Sequence, residues 1–175
     1  MRDTQEPDFE LVSEPTRQQM CREAVLSEDG SYRYLLIRRW DKHLPGVCFI
    51  MLNPSTADAN VDDPTIRRCI GFARRWGFGS LRVVNLYAFR ATNPAEIKIA
   101  PDPIGPLNDD YLLSAAASSH LVIAAWGGFA GKERVAAVCK KLGELKCLGL
   151  TQSGEPRHPL YVSGATGCVH YWPTE

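Results

Sequence analysis

The chain has 175 residues, 45% of them hydrophobic, which suits one domain with one substantial core. Twenty basic side chains balance twenty acidic ones, which excludes a whole-molecule field that would draw the protein onto nucleic acid or membrane, so any polyanion contact must be local. No apolar run approaches the roughly 20 residues that span a bilayer, the stretch after Met1 is polar rather than leader-like, and six cysteines lie scattered without a C-x-x-C pair, as expected of reduced thiols in a cytoplasmic protein.

Residues 1–30 mix Asp, Glu, Pro and Arg with few large apolar groups and read as a loosely held N-terminal extension to a single domain over 31–175. Tyr32 to Trp40 reads as an amphipathic strand, and Pro45 and Gly46 turn the chain into Val47 to Leu52. That continuous apolar run, VCFIML, is expected to be a central strand covered on both faces. Asp63 and Pro64 form an N-cap and first helical position, and Ile66, Cys69, Ile70, Ala73 and Trp76 supply the apolar stripe of a helix. Gly77 and Gly79 end it before a strand at Leu81 to Leu86.

The Pro- and Asp-rich stretch from Asn93 to Pro106 reads as a long loop, followed by a helix at Asn108 to Ser118 and a strand at Leu121 to Ala125. Gly131 to Leu142 reads as a further helix and Lys146 to Leu150 as a last short strand. Strands alternating with helices predict an α/β fold, a three-layer α/β/α sandwich with a largely parallel central sheet. In such sheets ligands settle beyond the carboxyl ends of the strands, here the loops after Leu52, Leu86, Ala125 and Leu150.

Those four loops hold the candidate functional residues. The first presents Asn53, Pro54 and Ser55, although Asn-Pro is also a common way to start a turn. Asn85 closes an apolar strand with a polar amide, and Tyr87 and Arg90 follow with an aromatic face and a cation. Trp126, Gly127 and Gly128 precede a helix, where glycines expose backbone amides to an anion and Lys132 adds a charge. His158 sits between Pro156 and Pro159, which stiffen its presentation, and Leu160 and Tyr161 follow. Arg67, Arg68, Arg74 and Arg75 share a helix face that reads as solvated, with phosphate contact as the competing reading. Asp58, Asp62 and Asp63 are the best candidates for a hard cation, but Asp63 has a capping role; no metal and no cofactor is expected.

The run FIMLNPSTADANVDDPTIRRC, with VVNLYAFRATNP, DPIG, AAWG and HPLYV, resembles a bacterial and phage family classed as domain of unknown function 1643, over roughly Tyr32 to Val162. The motif order is also similar to that of the uracil-DNA glycosylase superfamily. Asn53-Pro54-Ser55 resembles the Asn-Pro-Gly of its mismatch-specific branch, Asn85 its base-reading Asn, Trp126-Gly127 its Trp-Gly pair, and His158-Pro159 its His-Pro-Ser. Ser55 replaces the Gly and Leu160 the Ser, which leaves the substrate open.

The resemblance implies a uracil-DNA glycosylase-like fold and a DNA glycosylase-like hydrolase for a modified or damaged pyrimidine. Asn53 would hold the water, Asn85 would read the base edge, and His158 would donate to the developing anion, while Leu160 or Tyr161 would fill the gap left in a duplex. The partner is then DNA or a nucleotide, with no membrane; no oligomeric state follows. Because no basic tract is present, a hydrolase of free nucleosides or nucleotides competes with this reading, as do a non-catalytic module for a modified base and metal-dependent phosphate hydrolysis through Asp58 and Asp62.

Overall fold

The computed structural model describes residues 20–173. Strands β1 (Cys21–Leu26), β2 (Arg33–Arg39) and β3 (Gly46–Met51) precede helix α1 (Pro64–Arg75). Strand β4 (Ser80–Asn85), helix α2 (Asn108–Ala117), strand β5 (Leu121–Ala124), helix α3 (Lys132–Leu142), strand β6 (Leu145–Cys147) and strand β7 (Val169–Tyr171) complete the order. The strands make one seven-stranded sheet in the order β1-β2-β4-β3-β5-β6-β7. Its centre, β4-β3-β5-β6, is parallel, whereas β1, β2 and β7 join antiparallel at the edges.

The parallel core follows from the sequence pattern. The apolar run Val47 to Leu52 becomes β3, buried throughout and central in the sheet, because a strand covered on both faces has no polar side to offer. Val47, Phe49 and Met51 face one way, into a core with Ile66, Cys69, Phe72 and Ala73 of α1. Cys48 and Ile50 face the other way, against Leu112 and Ala115 of α2 and Val135 and Val138 of α3. One helix therefore covers one face and two cover the other, giving the three layers.

Asp63 caps α1 by accepting from Ile66 N at 2.8 Å, with Pro64 in the first turn. At Gly79, just before β4, an added Cβ would lie 2.2 Å from the Asp41 carbonyl, so only glycine permits this approach.

The edges differ from the sequence reading. Cys21–Leu26 forms β1 within the stretch expected to be a loose extension, although residues 1–19 lie outside the described part. Arg22 and Glu23 are exposed on β1, and such charges blunt an edge strand while hiding it from a reading based on apolar runs. β7 is only three residues long and was likewise not expected. The long loop at 93–106 contains a short 3₁₀ turn, Pro94–Lys98, capped by Asn93.

The segment between β3 and α1 is tied to the sheet by a buried cation. Arg38, fully buried on β2, donates from Nε to Asp62 at 2.7 Å and from its terminal nitrogens to the carbonyls of Ile37 and Asp58. Asp62 also pairs with Arg22 at 2.9 Å, so one carboxylate joins β1, β2 and the loop. Removing the carboxylate charge strands a buried guanidinium. Asp62→Asn is expected to destabilise the fold by about 3 kcal/mol, read by denaturant unfolding; a loss below about 1 kcal/mol would show that the carbonyls alone satisfy Arg38.

Candidate functional site

A cleft of about 640 Å³ opens at the carboxyl ends of the parallel strands. Alternation explains which side chains meet there. Met51 of β3 and Val83 of β4 face α1, so Asn53 and Asn85, each two residues further on, continue on that face. Both line the cleft, together with Ser55, Trp126, Gly127, Gly128, His158 and Tyr161. Pro54, Tyr87, Arg90, Lys132 and Leu160 do not line it.

Asn53 is held by its own loop. Its Nδ2 donates to the carbonyls of Ala91, at 2.7 Å, and Pro54, at 3.0 Å, which leaves Oδ1 as the open acceptor of the amide. The Pro54 carbonyl also accepts from Ala91 N at 3.0 Å, so Pro54 is a buried clip between the loops after β3 and β4 rather than a ligand contact.

Asn85 is the reverse case. It is 1% exposed, and among the described residues neither Oδ1 nor Nδ2 has a hydrogen-bond partner, although the residue lines the cleft. Its backbone is fixed from the other face: Asn108 Nδ2 donates to the carbonyls of Asn85 and Leu86, both at 3.0 Å, and Arg134 Nε donates to Leu86 O at 2.8 Å. A buried amide with both ends unmet costs about 1–3 kcal/mol per group, so a rigidly placed one beside an open cleft is poised for a ligand. Trp126 Nε1 is a second such group, buried and without a partner, on a ring packed edge-on against Tyr171 at 5.4 Å.

Gly127 takes φ +74°, a backbone conformation that glycine favours, and sits in ordinary contact with His158. Its amide is already used, donating to Pro156 O at 3.0 Å. The expected anion seat at a helix start is displaced, because Gly127–Phe129 is a short 3₁₀ turn and α3 begins only at Lys132. Lys132 is exposed outside the cleft. Tyr87 accepts from Gly131 N at 3.2 Å and so braces the start of α3, while Arg90 donates to Gly30 O at 3.2 Å.

His158 caps the short turn Pro159–Tyr161: its Nδ1 accepts from Leu160 N at 3.3 Å, which assigns the proton of the neutral ring to Nε2. Burial pushes its pKa below the usual 6.5, with Asp63 pulling weakly the other way. A neutral donor at neutral pH is the result. Its ring lies 5.5 Å from that of Tyr161, which is 80% exposed at the cleft mouth; Phe129, 72% exposed, also borders the cleft. Leu160 is exposed just outside. Of the arginine face expected to be solvated, Arg67, Arg74 and Arg75 are exposed, but Arg68 is half-buried and donates to the carbonyls of Pro159 and Val162, locking the His158 loop to α1.

Arg33 was not among the expected site residues. It is 2% exposed, lines the cleft, and donates from Nη1 to Ala57 O at 2.7 Å, while its Nε has no partner. The register explains its direction: one step on β1, Val25 to Leu26, spans two on β2, Leu35 to Arg33, so a bulge at Tyr34 turns Arg33 onto the face of Leu36 and Arg38. Strict alternation would have placed it opposite. Burial lowers its pKa from 12.5 to about 10, opposed by the charge of Asp63, so it remains a cation.

The acidic cluster is spent on structure. Asp58 accepts from the backbone N–H groups of Asn60 and Val61, Asp62 pairs with Arg38 and Arg22, and Asp63 caps α1. Among the described residues no group of three or more His, Cys, Asp or Glu is arranged to hold a metal ion, and no helix is long and apolar enough to cross a membrane. All six cysteines are free, and burial pushes the Cys48 thiol up to about 12.

The family model described as protein of unknown function (DUF1643) matches residues 33–160. The chain belongs to this family. The matched DUF1643 segment begins at Arg33 and encloses every cleft-lining residue named above except Tyr161. No curated protein matches the chain.

The neutral state of His158 is directly measurable. Its ring should titrate below 6.5 by NMR, and Asp63→Asn should lower the value further by removing the opposing charge. Because the folded value lies below the unfolded one, this group's share of stability is present above about 6.5 and lost as pH falls through the folded pKa. A titration at or above 6.5 would remove the neutral-donor assignment.

Proposed function

We propose that the cleft binds a pyrimidine base and hydrolyses its N-glycosidic bond, as a DNA glycosylase-like hydrolase. The observation that carries this reading is Asn85, a buried amide whose Oδ1 and Nδ2 both lack partners beside the cleft. A pyrimidine such as uracil offers a ring N–H next to a carbonyl, the complement of an amide that can accept and donate side by side. The same edge in water costs nothing to satisfy, so a buried Asn85 discriminates by what it would otherwise leave unpaired.

Breaking the bond sends the C1′–N electron pair onto the base and leaves positive charge on the sugar. His158, neutral with its proton on Nε2, donates to the base carbonyl where that negative charge gathers. The Oδ1 of Asn53, free because Nδ2 is bound by two carbonyls, accepts from the water that then forms the C1′–O bond. An amide orients water without taking its proton, which passes to solvent after addition, so the reaction depends on early bond cleavage. Phe129 and Tyr161, exposed aromatic residues lining the cleft, support contact with flanking bases, and in a duplex Tyr161 would fill the gap left by an extruded nucleotide.

Asn53, the residue that would hold the water, is an amide and cannot take its proton, which favours one second reading, a module that binds a modified base or nucleotide without cutting it. Base release separates the two. Purified protein is incubated with single- and double-stranded oligonucleotides carrying uracil, mismatched thymine or bulky modified pyrimidines, then treated with alkali to cut abasic sites. Strand cleavage should fall by about 10²-fold or more in Asn53→Ala and in Asn85→Ala. Saturable binding without abasic sites, lost in Asn85→Ala, would replace the hydrolase by the module.

A further inference from the structure

Six buried side-chain nitrogen or oxygen atoms lack a partner among the described residues, and four of them belong to three cleft-lining residues, Arg33, Asn85 and Trp126. Unpaired donors and acceptors of this kind are rare in folded proteins, and their grouping along one cleft marks where a ligand completes them. Three of those four atoms suit any neutral base. The Arg33 Nε does not, because it belongs to a full positive charge withdrawn from water.

No carboxylate lies within ion-pair distance of Arg33 among the described residues. Asp63, the acidic group acting on it most strongly, spends an oxygen on the Ile66 N–H, and Asp58 spends one on Asn60 and Val61. Arg38 and Arg90 press on it with like charge. Among the described residues, its side chain bonds only to the neutral carbonyl of Ala57. Arg38, equally buried on the same strand, has Asp62 as its partner. Two buried arginines on one strand thus differ: Arg38 is paired with its anion, whereas Arg33 faces a cleft whose lining carboxylate, Asp63, is not within ion-pair distance of it and caps α1.

Arg33 and Asn85 come from adjacent strands. β2 pairs with β4, and the Arg33 N–H donates to Ala88 O at 3.0 Å, three residues beyond Asn85. The bulge at Tyr34 turns Arg33 to the α1 face, the face that Asn85 also occupies. We infer that the cleft takes, beside Arg33, an anionic oxygen carried by the ligand, with Arg33 as its counter-ion and Asn85 reading the adjoining base edge. This rests on the nucleobase reading of the cleft and adds the charge of the ligand to it. Two sources supply such an oxygen: an acidic substituent on the pyrimidine ring or the phosphate of a pyrimidine nucleotide. The guanidinium fork suits either, since it matches carboxylate and phosphate geometry.

Calorimetric titration of the full chain with uracil, 5-carboxyuracil, uridine and uridine 5′-monophosphate tests this. At least one charged member should bind about tenfold or more tightly than its uncharged counterpart, and Arg33→Met should bring that ratio close to one. An excess for 5-carboxyuracil over uracil assigns the anion to the ring, and an excess for the monophosphate over uridine assigns it to the nucleotide. Thermal denaturation checks that Arg33→Met folds; if it does not, Arg33→Lys, which keeps the charge and loses the fork, should reduce the ratio. Equal affinities within both pairs, or a ratio unchanged in the Arg33 variant, would overturn the inference and leave the nucleobase reading standing. Absence of any pyrimidine binding, together with absence of base release from oligonucleotides, would overturn the nucleobase reading itself.

Discussion

Parity along the strands is the constraint on which the cleft depends. Successive side chains alternate between faces, so in a sheet whose central strands run parallel and in register, residues of like parity past the strand ends gather on one side. β3 and β4 are paired from Gly46↔Ser80 to Met51↔Asn85 without a break, which brings the ends of both strands level. The apolar half of each strand packs on α1, and the first polar residue of the same parity emerges where α1 no longer covers the sheet. Asn53 and Asn85 are polar continuations of two core rows.

The same parity has one programmed exception. The bulge on β2 costs a ladder contact at the sheet's edge, yet it reverses the face of everything before it, and only with that reversal does Arg33 reach the Ala57 carbonyl and the cleft. A buried cation and a buried amide left without partners both reduce stability, by about 1–3 kcal/mol for each unmet neutral group. The fold offsets this with two cores on either side of β3 and with the Arg38–Asp62 pair that binds the loop before α1 to the sheet. Stability is concentrated where no ligand goes, and unmet hydrogen bonding where one can.

Much of this was legible in the sequence, for identifiable reasons. The run VCFIML had to be a central strand because it has no polar face, and once β3 was placed, the crossover helices and the four strand-end loops followed from topology. Of the cleft-lining residues, Asn53, Asn85 and Trp126 stand out in the sequence because each is a polar or aromatic residue where an apolar run stops, and His158 because Pro156 and Pro159 stiffen the loop that presents it. Edge strands β1 and β7 escaped because short, charged or exposed strands carry little apolar signal. Arg33 escaped for a different reason: its strand was recognised, but a bulge is a feature of pairing with β1, and pairing leaves no mark in the period of one strand. The sequence places Trp126-Gly127-Gly128 at the lip of α3 and so brings Lys132 toward the ligand, whereas a 3₁₀ turn intervenes and Lys132 lies outside the cleft.

The least legible contact also has the widest reach. Arg68 looks like one of four arginines on a solvated face, yet it crosses to the carbonyls of Pro159, the first residue of the short turn that His158 caps, and of Val162, just after its end. The position of His158 is therefore set from two directions. Gly127 and Pro156 pin the chain before it through a backbone bond, and Arg68 of α1 holds the chain after it. Asp63, which acts electrostatically on both His158 and Arg33, caps the same helix. α1 thus fixes the loop that presents the donor, and the carboxylate that caps it acts on both His158 and Arg33, so a helix whose apolar stripe reads as ordinary core packing also organises one wall of the cleft.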